Sequence, residues 1–144
     1  MTWLPKKNVV VPVDFSEQSL NAIQTALELV ESPANVHVVH VVIPLNAITV
    51  GEAWAVEDVG SRLSATKDYL ANYLKKFAVM GVTSEVREGD PGLQIAEYAK
   101  SINADLVVIP SHGQHGVQRL LLGSVAERVL RHVECPILVL RRND

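Results

Sequence analysis

Five short runs rich in Val and Ile, at residues 9–13, 36–43, 82–86, 106–109 and 137–140, constrain the fold of this chain more than anything else in it. A strand with one wet face alternates apolar and polar residues, whereas a strand covered on both faces reads as a continuous apolar stretch. Four of the runs are nearly continuous, and only 82–86 alternates. Strands buried on both faces need helices above and below them, which favours a parallel sheet with crossover connections.

The segments between the runs supply such helices. Leu20, Ile23, Leu27 and Val30 recur at helical spacing, as do Leu63, Leu70, Leu74 and Phe77. Ile95, Ala99 and Ile102 form a third apolar stripe, and Val125, Val129 and Val133 a fourth. Asp90-Pro91 has the form of an N-cap followed by proline at the first helical position. Ser124-x-x-Glu127 has capping-box spacing, and Gly81 stands where the second helix should meet its C-cap. The order is therefore β-α-β-α-β-α-β-α-β, a doubly wound α/β domain with right-handed crossovers and a five-stranded parallel sheet. Residues 44–58, with Pro44, Asn46, Gly51 and Trp54, are the least regular part, and a mobile loop is expected there.

A chain of 144 residues is near the size of one domain and buries roughly 70% of its unfolded surface, so a single domain over 1–144 is expected. With 48% hydrophobic and 20% charged residues the composition is that of a globular protein. The net charge of −3 and the absence of any Lys/Arg run argue against nucleic acid as a partner, since phosphate binding calls for a basic face. No apolar stretch reaches the roughly 18 residues of a membrane span, and the N-terminus lacks a signal-peptide pattern. The single Cys135 has no internal disulfide partner. These features point to a cytoplasmic location with no membrane contact.

In open α/β sheets ligands bind beyond the carboxyl ends of the strands, where the winding reverses. The loops to read are therefore Pro12-Val13-Asp14-Phe15-Ser16 after the first strand, Ile43-Pro44 after the second, Arg87 to Pro91 after the third and Pro110-Ser111-His112-Gly113 after the fourth. The last continues through Gln114 and Gly116 to Gly123, Ser124 and Val125, where a helix opens. Glycine lets a backbone approach a ligand closely, and the first amides of a helix lack intrahelical partners at its positive end. Gly123, Ser124 and Val125 are thus placed to cradle an anion. The segment is not a P-loop, because no lysine precedes Ser124.

At these residues the chain resembles the universal stress protein family, from Val9-Val10-Val11-Pro12-Val13-Asp14-Phe15-Ser16 to Cys135-Pro136-Ile137-Leu138-Val139. Nucleotide-binding members of that family carry a Gly-x2-Gly-x9-Gly-Ser/Thr motif. Gly113, the nine residues that follow, Gly123 and Ser124 fit it, with Pro110 at the position of the first glycine. The resemblance implies an adenine nucleotide alpha hydrolase-like fold with sheet order 3-2-1-4-5. It implies that Asp14 holds the ribose, that Pro12 and Val41 flank the adenine, and that Gly113, Gly123, Ser124 and Val125 hold the phosphates. Val13, Ser16, Pro110, Ser111, His112, Gln114 and Gly116 complete the candidate set. It also implies a homodimer joined through the last strand, from Ile137 to Arg141. Proline at 110 has no N–H, so a backbone contact made by the family's glycine is absent.

Several of these residues have plainer uses. Asp14 and Ser16 suit the capping of the first helix, and Ser124 with Glu127 makes a capping box with or without a ligand. His37 and His40 are three apart on a strand and should face opposite sides, which does not suit a shared metal. His112 and His115 have the same spacing in a loop, without a carboxylate or cysteine cluster beside them. Ser111-His112 lacks the context of a hydrolase nucleophile, and Gly113-x-x-Gly116 lacks the basic surround of an RNA-clamping loop. Cys135 reads as an ordinary buried or edge thiol.

The function expected from this reading is a stress-response sensor or regulatory module that binds ATP, or ADP or AMP, at the switch point of the sheet. Two alternatives stay open: a slow ATP hydrolase with Mg2+ bridging the phosphates, and an interaction module that binds no nucleotide.

Overall fold

Apolar strands in this chain pair side by side and in one direction. The computed structural model describes residues 2–44, 59–111 and 122–141. Its elements are β1 (Val9–Pro12), α1 (Glu17–Glu28), a 3-10 turn (Pro33–Asn35), β2 (Val36–Val42), α2 (Val59–Lys76), β3 (Thr83–Glu88), α3 (Pro91–Ser101), β4 (Leu106–Pro110), α4 (Ser124–His132) and β5 (Ile137–Leu140). The strands form one parallel sheet in the order β3-β2-β1-β4-β5. This is the expected α/β architecture and strand order. The irregular segment anticipated at 44–58 lies, past Pro44, outside the described residues.

Alternation along the strands feeds two cores. Val9, Val11, Val36, Val38, Leu106 and Val108 pack with Ala22, Ile23 and Ala26 of α1 and Leu70 and Leu74 of α2. Val10, Val39, Val107 and Ile109 pack with Ile95, Tyr98 and Ala99 of α3 and Ala126 and Val129 of α4. Helices therefore cover both faces, and β1 and β4 are buried throughout. The alternating run at 82–86 belongs to the edge strand β3, which extends to Glu88 by pairing Arg87 with Val41 and Glu88 with Val42. An edge strand keeps one side open to solvent and so tolerates polar residues.

Three local expectations are corrected. Ala78, not Gly81, takes the left-handed conformation that ends α2, at φ 56°. The Val79 amide donates to the Leu74 carbonyl and the Ala78 amide to that of Lys75, the two bonds of a Schellman motif. Gly81 lies beyond it with φ 83°. At the other end of the chain the N-cap of α4 is Gly123, with no side-chain cap, and Ser124 is the first helical residue. Glu127 turns its carboxylate to Arg131 at 2.6 Å rather than back toward an N-cap amide. Finally, the core stripe of α4 is Ala126, Val129 and Val133, while Val125 is 38% exposed. Ala126 and Val129 lie three apart with Val133 four further on, and Val125 falls one position outside that face. The Asp90 cap of α3 is as expected, with Oδ2 accepting from the Leu93 amide at 3.0 Å.

The contact between α3 and α4 sets where α4 begins. Gly92, in the first turn of α3, lies so close to α4 that a Cβ there would meet the Arg128 Cβ at 2.5 Å. Gly92→Ala should therefore push the two helices apart and lower stability by about 1–3 kcal/mol. Urea denaturation checks this, and a midpoint equal to that of the unaltered protein would mean that the helices part freely.

Candidate functional site

The sheet reverses its winding between β1 and β4, and there the two strands come apart. Val107 and Ser111 donate their amides to Pro136 and Leu140, at 3.0 and 2.8 Å, so the odd-numbered residues of β4 face β5. The even-numbered ones, Pro110 among them, face β1. In the same way Val13 donates to Val39 at 2.9 Å, so Val10 and Pro12 face β4. Pairing of β1 with β4 runs from Val9 opposite Leu106 to Val10 opposite Val107 and ends. The next two bonds of a parallel ladder would come from the amide of residue 12 to the Val108 carbonyl and from the amide of residue 110 to the Pro12 carbonyl. Both residues are proline and have no N–H. The seam cannot close past Val10.

A cavity of about 430 Å³ opens at this parting. Of the residues singled out from sequence, Pro12, Val13, Asp14, Val41, Pro110, Ser111, Gly123, Ser124 and Val125 line it. Ser16 does not, but it is tied to Asp14. His112, Gly113, Gln114 and Gly116 lie outside the described residues, as does His115. The lining also includes Ser19, Val39, His40, Ile43, Pro91, Ile95, Ile109 and Ala126, none of them in the candidate set, although Ile43 and Pro91 stand in loops that the strand ends pointed to. Val39 was accessible in principle, because it shares a strand face with Val41. Ser19 follows Ser16 by three residues on α1 and so shares its side of the helix.

Asp14 is fixed by its own loop. Its Oδ1 accepts from the Ser16 amide at 3.0 Å, the Ser16 hydroxyl at 2.5 Å and the Ser19 hydroxyl at 2.7 Å. Its amide donates to the Ser19 hydroxyl at 2.9 Å. Ser16 is at the same time the N-cap of α1, so the capping role and the anchoring of Asp14 belong to one network. Phe15, between them, has φ 68°, in the left-handed region that costs a non-glycine residue about 1–2 kcal/mol. Its ring packs against those of His40, Tyr69 and Tyr73, with centroids 4.6, 4.8 and 5.3 Å away, which offsets the cost. Burial first, and then the charge of Asp14, raise the pKa of Tyr73 above the ordinary phenol value. The hydroxyl stays protonated and donates to the Ser16 carbonyl at 3.2 Å.

The histidines of β2 serve different faces. His40 Nδ1 lies 2.7 Å from the Val13 carbonyl and therefore carries its proton there. His37 Nδ1 meets the Tyr98 hydroxyl at 2.8 Å on the α3 side, where burial lowers the histidine pKa. Among the described residues no group of three or more His, Cys, Asp or Glu is gathered as for a metal ion. Cys135 is half-buried, and burial raises its pKa, so it is a poor nucleophile at neutral pH. Among the described residues no helix is long and apolar enough to cross a membrane.

On the far wall the cavity meets the start of α4. The Gly123 amide donates to the Ser111 carbonyl at 2.6 Å, and the Glu127 amide to the Gly123 carbonyl at 3.0 Å. The amides of Ser124, Val125 and Ala126 have no partner within the helix.

A single parallel sheet in this order with helices on both faces places the chain in the doubly wound α/β class, and the cavity lies at its switch point. The model of the Universal stress protein family matches residues 6–141. Universal stress protein MJ0531 of Methanocaldococcus jannaschii is 34% identical over an alignment of 142 positions that covers 94% of this chain and 82% of that protein. Among solved structures, hypothetical protein MJ0577 superposes with a TM-score of 0.76 at 26% identity, covering 98% of this chain and 99% of its own. A universal stress protein in complex with cAMP superposes with a TM-score of 0.61 at 22% identity, covering 94% and 97%. The chain belongs to the universal stress protein family.

The Asp14 network predicts a stability effect independent of any ligand. Asp14→Ala leaves the Ser19 hydroxyl, which is 1% exposed, without its acceptor, and should destabilise the protein by roughly 1–3 kcal/mol. Asp14→Asn keeps an acceptor oxygen and should lose less. Chemical denaturation of the two variants measures the difference, and equal stability of all three proteins would contradict the anchoring role.

Proposed function

We propose that this chain binds an adenine nucleotide in the cavity at the β1–β4 parting and works as a ligand-responsive regulatory module in the cytoplasm. The observation that carries the reading is the pairing of walls in one cavity. Asp14, a fixed carboxylate suited to accept ribose hydroxyls, stands on one side, and the first turn of α4, suited to an anion, on the other. Between them Val39, Val41, Ile95 and Ile109 offer apolar surface for a base. In this reading Pro12, Val13 and Val41 flank the base. Ser111, Gly123, Ser124 and Val125 face the phosphate, joined by His112, Gly113, Gln114 and Gly116 of the same loop. The solved structure with cAMP shares the fold, and at 22% identity it speaks for the fold alone.

Thermal unfolding tests the reading. A nucleotide present at about 100 times its dissociation constant adds roughly 2.7 kcal/mol, which for a domain of this size raises the midpoint by roughly 5–10 °C. If AMP, ADP and ATP at millimolar concentration all leave the midpoint unchanged, the cavity is not a nucleotide site. Ser124→Asp then locates the phosphate. Ser124 is exposed in the first helical turn, where a carboxylate suits the dipole, so the apo variant should keep its stability within about 1 kcal/mol. A carboxylate about 4 Å from phosphate is repelled by up to roughly 4 kcal/mol at an effective dielectric near 20, before solvent and rotamer changes reduce it. At least a tenfold loss of affinity is expected, and unchanged affinity would place the phosphate elsewhere.

We also propose a two-fold homodimer through the outer edge of β5 and Arg141. Leu138 and Leu140 face β4, so Ile137 and Val139 turn their backbone donors and acceptors outward from an apolar edge strand. The opposite edge, β3, carries Glu85, Arg87 and Glu88 and suits pairing less. Val139→Pro removes an outward N–H while leaving the β4 ladder intact. Light scattering at tens of micromolar should report a dimer for the unaltered protein and a folded monomer for the variant. A monomer in both would refute the interface.

A further inference from the structure

We infer that a second cavity, beside the start of α2, binds a small organic acid, an apolar body ending in a carboxylate, through the guanidinium of Arg62. The inference stands apart from the nucleotide reading, because it concerns another cavity and another ligand.

This cavity shares His40, Val41 and Ile43 with the first and adds Phe15, Arg62 and Tyr69. Arg62 and Tyr69 are seven positions apart on α2 and so lie on one side of it, with Thr66 between them. The Arg62 Nη2 donates to the Ile43 carbonyl at 3.2 Å, which ties the guanidinium to the end of β2. Its Nη1 is buried, and among the described residues it has no hydrogen-bond partner. Glu88 stands opposite Val42 at the same end of the sheet, but it is not among the described lining residues and forms no ion pair with Arg62.

A buried donor without an acceptor costs free energy, and a charged one most of all, so the Nη1 group calls for an acceptor from outside the fold. A guanidinium offers five N–H donors in a planar fork. Ile43 takes one of them. The hydrogens left on Nη1 and Nη2 match the two oxygens of a carboxylate. The other walls are largely apolar. Phe15 and Tyr69 meet edge to face with ring centroids 4.8 Å apart, and Phe15 also packs on His40 at 4.6 Å. Tyr69 is 60% exposed and Ile43 51%, so a ligand body laid against them covers apolar surface that water now meets. Aromatic and aliphatic walls with a charged group fixed among them are the composition of a small-molecule site. The walls favour an apolar body, and the fork sets which end of it carries the acid.

Titration of the full chain with phenylacetate, phenylacetamide and acetate, followed by amide NMR, tests this. Phenylacetate at millimolar concentration should shift the amides of residues 40–43 and 62–69. It should bind about tenfold or more tightly than either of the others, since phenylacetamide lacks the charge and acetate the apolar body. Absence of those shifts would overturn the inference. Equal binding of phenylacetamide would mean an apolar cleft in which Arg62 takes no part, and equal binding of acetate an anion site without an apolar subsite, and either result overturns it. Arg62→Met keeps an apolar stem of similar length and should lower the phenylacetate affinity about tenfold or more. Unchanged affinity in the folded variant would place the acid elsewhere. The comparison of the three probes on the unaltered protein decides the question even if the variant does not fold.

Discussion

The parting of β1 from β4 is the constraint on which the remaining structure depends. In a parallel sheet each residue that faces a neighbouring strand offers it one donor and one acceptor, so adjacent strands stay joined unless donors are missing. Pro12 and Pro110 remove two successive donors, one from each strand, at the level where the winding reverses. Each bond forgone is worth about 0.5–1.5 kcal/mol net, whereas each fully buried valine in the same strands contributes roughly 1.5–3 kcal/mol. The apolar rows therefore hold the sheet together below the split. Above it, α1 packs on one face of the sheet and α4 on the other.

How much of this was legible depends on the range of the physics involved. Two-sided burial writes itself into consecutive residues, so Val9, Val10 and Val11 or Val107 and Val108 announced strands and strand class directly. Local capping was legible where a side chain carries it, as at Asp90. It was misread where the backbone carries it: Ala78 takes a left-handed conformation that glycine adopts more easily, because the Leu74 carbonyl and the packing of Val79 hold it there. Gly123 displaced Ser124 from the N-cap for a related reason, its carbonyl being the one that starts the helix. In the site, Asp14 and Val41 stood out through their loop positions and the resemblance. Ile95 and His40 did not, because their presence at the cavity follows from how α3 and β2 pack rather than from any neighbour in sequence. The seam itself was written in the sequence, but Pro110 alone was weighed. Its partnership with Pro12 emerges only from the strand register.

The position of α4 ties these features together. Its start depends on Gly92, where the absence of a Cβ allows Arg128 to approach α3. The Arg128 pair with Asp90 joins the N-cap of α3 to the same turn of α4. An ion pair this exposed is worth little as stability, on the order of 0–1 kcal/mol. Its effect is geometric. It orients α4 so that Ser124 and Val125 border the cavity, and it leaves the arginine committed elsewhere.

The anchoring of Asp14 also bears on the speed and entropy of recognition. A side chain that must be immobilised on binding costs about 0.5–1.5 kcal/mol of affinity, and a loop that must rearrange slows association. With Oδ1 already held by Ser16 and Ser19, and Phe15 wedged between His40 and two tyrosines, this turn is ordered before any ligand arrives. Under the nucleotide reading proposed above, the β1 side of the site would then act as a rigid template for the sugar.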